Sequence, residues 1–157
     1  MVEQSIFDDV ADAVRGLVPQ GLGDLRSTSH RYGVKVWLDD DKPPREHYEA
    51  QVIGREHAPG ATVLALEVGF HSEYPKEADN ELVIARLLGS ERRWRRDLGG
   101  EAVAGAFLGR AQWRRVSEVW PDPDLDEHGL VFELATRLTD YMTALEPYRT
   151  ERKMSAP

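Results

Sequence analysis

The chain has 157 residues, 41% hydrophobic and 31% charged, which suits one domain with a full core. No apolar run nears the roughly 20 residues that cross a bilayer, the acidic start MVEQSIFDDVADAV lacks the pattern of a secretory signal, and the absence of cysteine excludes disulfides, thiolate metal sites and cysteine nucleophiles. A net charge of −8 gives no long-range attraction to nucleic acid or anionic membrane.

Glu3 to Val18 reads as a helix, because Ile6, Val10, Val14 and Leu17 recur at spacings of three and four. Pro19 and Gly21-Leu22-Gly23 end it, and Ser27, Ser29 and His30 fall in a loop. Arg31 to Leu38 alternates as a half-buried strand: Tyr32, Val34, Val36 and Leu38 on one face, Arg31, Gly33, Lys35 and Trp37 on the other. A polar loop, Asp39 to Pro44, leads to a second strand, His47 to Gly54, with Tyr48, Ala50 and Val52 opposed to His47, Glu49, Gln51 and Ile53. The third, Thr62 to Tyr74, is the most apolar stretch. It sets Leu64, Leu66, Val68 and Phe70 against Val63, Ala65, Glu67, Gly69 and His71.

Pro75 to Leu98 reads as helix, with a core face of Leu82, Ala85 and Leu88, joined by Val83 and Leu87, and a break near Gly89. Gly99-Gly100 is a stop, and Ala102 to Leu108 and Trp113 to Trp120 are two weaker strands. Leu130, Leu134, Leu138, Tyr141 and Leu145 mark a last helix ending near Pro147. The expected fold is α+β: helix, three-stranded antiparallel meander, helix, two weaker strands and C-terminal helix, with helices on one face of a mostly antiparallel sheet. Residues 1–148 make a single domain, and 149–157 a polar tail.

Helices on the apolar face leave an open polar face: Lys35, Trp37, His47, Glu49, Gln51, Glu67 and His71, with Arg31 at its edge. Glu49, Glu67 and His71 are metal-ligand types. Glu67 and His71 stand roughly 13 Å apart along a strand, too far to share one ion. The face therefore reads as solvated, and no metal, cofactor or catalytic residue is expected.

The second candidate is an anion- or partner-binding patch of Arg92, Arg93, Trp94, Arg95 and Arg96 with Trp113, Arg114 and Arg115. Arg86 to Arg115 carries a net +5, leaving −13 elsewhere. Arginine forks pair with phosphate or carboxylate, and tryptophan offers a stacking face.

The order helix, three strands, helix, strand resembles the core of the PD-(D/E)XK nuclease fold. There, two carboxylates hold Mg²⁺ beside a lysine. The resemblance implies Glu67 as the strand carboxylate; Gly69 stands where the motif has lysine, so Lys35 would have to substitute from another strand. Size, charge and element order also resemble small acidic secretion-chaperone-like domains, which implies binding of a protein segment and no catalysis. The first expectation is thus a cytoplasmic, non-enzymatic domain that binds a protein partner or itself as a homodimer, with no membrane partner. The alternative is a nucleic-acid-related domain, a degenerate nuclease-like fold working through the Arg/Trp patch. A third is a metal-dependent enzyme using Glu49, Glu67 and His71.

Overall fold

A computed structural model describes residues 5–155 of the chain. It is an α+β fold: six antiparallel strands with helices packed on the sheet. The elements run α1 (Ile6–Leu17), β1 (Leu25–His30), β2 (Gly33–Leu38), β3 (Glu46–Gly54), β4 (Leu64–Ser72), α2 (Glu77–Leu88), α3 (Glu91–Leu98), β5 (Val103–Phe107), β6 (Arg110–Pro121) and α4 (Leu130–Ser155). The strand order is β1-β2-β3-β4-β6-β5. No helix among the described residues is long and apolar enough to cross a membrane.

The meander has four strands, not three. Leu25–His30, LRSTSH, holds one large apolar residue, so no alternation is visible in it. It forms an edge strand because its backbone pairs with β2 from Leu25↔Leu38 to His30↔Gly33. Ser29 also donates to the Asp8 carboxylate of α1. Glu3, the expected first residue of that helix, lies outside the described residues. Ser5 caps it: its hydroxyl accepts from the Phe7 N–H while the Asp8 carboxylate accepts from its own N–H.

The core lies between the helices and the apolar sheet face. Phe7, Val10 and Val14 of α1 and Leu134, Leu138, Tyr141 and Leu145 of α4 are buried with Val34, Val36, Tyr48, Ala50, Leu66, Val68, Phe70 and Val116 of the strands. The expected stripe of α4 is therefore the observed one. The stripe of α2 is rotated from the expected face. Leu82 is 62% and Leu88 42% exposed, while Asn80, Val83, Ile84 and Leu87 are buried. Two stripes compete in that sequence. Asn80 decides between them, because its amide donates to the Tyr74 and Gln112 carbonyls and accepts from Ser72 Oγ and the Tyr74 N–H. A buried asparagine with its capacity filled is cheap, and it pins the helix to β4 and β6.

α4 does not stop at Pro147. The bond this proline forgoes belongs to the carbonyl of Thr143, which is exposed to solvent. Two residues on, Arg149 grips Glu146 at 2.6 Å and reaches Glu46 of β3 at 3.5 Å. The start of the expected polar tail is thus a docked helix.

Candidate metal centre

The polar face of the sheet is closed at its middle, contrary to the open face expected from alternation alone. His47, Glu49, Glu67, His71, Arg115 and Ser117 are all buried there. The β5–β6 hairpin closes it. Phe107 sets its ring edge-on to His71, with centroids 4.6 Å apart, Trp113 packs on Phe107, and Arg110 stacks on Trp113.

Register brings the polar groups together. His47 lies directly across from His71, Glu49 from Gly69, and Gln51 from Glu67. Both strands carry the triplet His-x-Glu, His47-Tyr48-Glu49 and His71-Ser72-Glu73. Residues two apart share a face, and the strands run antiparallel. The two glutamates therefore flank the histidine pair from opposite sides. Glu49 Oε1 lies 3.1 Å from His47 Nε2 and 3.2 Å from His71 Nδ1. Glu73 Oε2 lies 3.3 Å from His71 Nδ1 and 3.5 Å from His47 Nε2. Together the ligand atoms fall within 4.8 Å of one another. Glu73 is missing from the expected polar face although it falls within the expected strand, two residues past His71 on the same face; the repeated His-x-Glu triplet is the signal that points to it.

The outer nitrogens are engaged as well. His47 Nδ1 donates to the Pro44 carbonyl at 2.8 Å, and His71 Nε2 to Glu67 at 2.7 Å. Glu67 and His71 thus meet despite their separation in sequence. Gly69 lies between them on the same face. A Cβ at Gly69 (φ +152°) would fall 2.4 Å from the Val116 carbonyl oxygen, which leaves room for glycine alone. Gln51 donates to Glu67 Oε1 and fixes that carboxylate from the neighbouring strand.

These groups shift one another's protonation. Burial alone disfavours an imidazolium at His71, but the Glu67 charge and hydrogen bonds with Glu49, Glu67 and Glu73 outweigh it and hold the pKa well above its ordinary value. His47 is raised too, its bonds to Glu49 and Glu73 overcoming burial. Burial would raise the Glu49 pKa; the two histidines instead bring it down to about 2, and they lower Glu73 in the same way.

The remaining candidates are dispersed. Trp37 is buried, its indole donating to the Asp40 carbonyl, and Lys35 stands at the rim with Nζ 4.0 Å from Glu73 Oε1. In the Arg/Trp patch, Trp94 is buried in the core and donates to the Leu87 carbonyl. Arg95 pairs with Glu91, Arg114 with Glu77 and Glu81, and Arg115 is turned to the Ala106 carbonyl and Ser117. Arg92, Arg93 and Arg96 are exposed on α3. Trp113 belongs to the hairpin over His71, away from Trp94. Comparison of the chain with protein-family models, curated proteins and solved structures finds no significant match.

Proposed function

We propose that this domain binds one divalent late first-row metal ion, zinc foremost, through His47 Nε2, Glu49, His71 Nδ1 and Glu73. One observation carries the reading. The four His–Glu contacts measure 3.1, 3.2, 3.3 and 3.5 Å, close to the edge of about 3.3–3.4 Å in a tetrahedron with metal–ligand bonds of about 2.0–2.1 Å, and all four atoms lie within 4.8 Å of one another, so the donors ring one ion-sized space. The surrounding bonds support it. Each histidine spends its outer N–H on a carbonyl or carboxylate, which turns a lone pair inward and is the usual company of a metal-bound imidazole. Two imidazoles among the ligands favour zinc and its neighbours over magnesium or calcium, which take oxygen. A doubly charged cation would also balance Glu49 and Glu73.

Four protein ligands make a closed shell, the pattern of a structural or regulatory site. Its elements are two adjacent strands and the segment after β4, so the ion would tie β3 to β4 on the face the helices do not reach. Calorimetry of chelator-treated protein at neutral pH tests the proposal. One zinc per chain is expected, magnesium giving no heat, and His71→Ala removing the binding. At a free zinc concentration a hundredfold above Kd, stability rises by about 2.7 kcal/mol, which is about 5–10 °C in Tm for a chain of this length. Absence of stoichiometric zinc binding would sink the reading.

A further inference from the structure

The four ligands are not equivalent. His47, Glu49 and His71 sit inside the β3–β4 ladder. Glu73 stands one residue beyond β4, held by a single backbone bond from its N–H to the Arg45 carbonyl. Its carboxylate is divided: Oε2 faces both histidines, while Oε1 faces Lys35 Nζ at 4.0 Å. Lys35 lies across from Glu49 on β2, and its side chain is 34% exposed. Glu67 makes the contrast. Both its oxygens reach His71 Nε2, Gln51 braces it, and it is sealed from solvent.

We infer that Glu73 is the exchangeable ligand of the centre and that a small oxyanion, a phosphate or carboxylate group, replaces it on the metal with Lys35 as its second contact. The inference rests on the metal reading above. Lys35 draws charge from Glu73 and so weakens it as a ligand; it also offers a cation to whichever anion occupies the rim. An ammonium is a compact point charge that accepts phosphate or carboxylate without a fixed geometry. In the exchange one anionic oxygen leaves the ion as another arrives, so no proton or further co-reactant is required. Phe107 and Trp113 cover the opposite flank, and of the four ligands Glu73 has the most exposed side chain, 11% against 8% for Glu49, 2% for His47 and 0% for His71, so the Lys35–Glu73 edge is the one nearest solvent.

Cobalt(II) replaces zinc as a visible probe of the coordination shell. The cobalt-loaded protein is titrated with inorganic phosphate, and separately with acetate, at constant ionic strength set by chloride. A saturable change in the cobalt absorption is expected with phosphate. A matching change with acetate assigns the position to carboxylates as well, and its absence confines it to phosphate. Lys35→Met should leave cobalt binding intact and weaken the anion about tenfold, the worth of one charge-assisted contact. Glu73→Gln should lower cobalt affinity and tighten the anion, because the competing carboxylate is gone. A cobalt spectrum that neither anion alters, over the range in which phosphate does not strip the metal, overturns the inference and leaves the metal reading standing. Failure of cobalt and zinc to bind at all overturns both.

Discussion

The two faces of this sheet are built from the same strands by opposite means. On the helix side, Val36, Leu66, Val68 and Phe70 face α1 and α4 with apolar side chains whose worth scales with area removed from water, and Tyr48 adds one hydroxyl bond to Glu146 of α4. On the other side, His47, Glu49, Glu67 and His71 are equally buried, yet a small hairpin provides their cover and charge provides their cohesion. A packed apolar face tolerates no void but is indifferent to pH. A buried charged cluster costs desolvation, repaid only while every partner is present in the right protonation state. The first face explains why the chain folds; the second is more than folding requires, which is why function is sought there.

Damage to one face at a time separates their roles. Leu138→Ala empties a buried site in the helix layer and should cost about 3 kcal/mol by chemical denaturation, with zinc affinity unchanged in the folded protein. Gly69→Ala attacks the polar face through its backbone. A Cβ clashing with β6 at a positive φ should cost roughly 3 kcal/mol, and any protein that folds should show weakened zinc binding in calorimetry, since β4 must shift from β6 and carries His71 with it. Retained zinc affinity in Gly69→Ala would show that the centre does not depend on the close approach of β4 to β6 at this glycine.

A pH series sharpens the contrast without mutation. The histidines have raised pKa values, so the stability they lend to metal-free protein is complete below their ordinary 6.5 and is lost as pH climbs through the raised values. Glu49 is depressed, so its share is present above the ordinary 4.5 and is lost as pH falls towards about 2. Metal-free protein should therefore melt highest between these two ordinary values. Zinc competes with protons for the same imidazoles, so its increment in Tm should grow with pH where the metal-free protein weakens. Parallel Tm profiles with and without zinc would count against metal ligation by these histidines. The smallest effect is on α2: Leu82→Ser at an exposed position should change stability by no more than about 0.5 kcal/mol, whereas Leu87→Ala should cost about 3 kcal/mol.

Most of the fold was legible in the chain because most elements carry a strong period. The residues that alternation assigns to the apolar face of β2, β3 and β4, and the stripe of α4, are the ones that join the core, although the strands are buried on both faces. β1 was not legible, since a polar edge strand needs only a partner's backbone. The face of α2 was misread because the deciding residue is a buried asparagine, whose partners Ser72, Tyr74 and Gln112 lie outside the helix. The Arg/Trp cluster is contiguous in sequence, yet a helical turn sends Trp94 inward and leaves Arg92, Arg93 and Arg96 outside.

Local patterning is enough to make this an α+β domain, to assign each strand its apolar face, and to set His47, Glu49, Glu67 and His71 on the other one. Those properties follow from spacing along a single strand or helix. Closure of the polar face and convergence of its groups arise in the assembled sheet alone. Convergence depends on register: His47 opposite His71 places two His-x-Glu triplets head to tail, and a shift of one residue would carry half of them to the other face. Side-chain reach across a glycine and the curl of a distant hairpin complete the site, and neither is written in any one stretch of the chain.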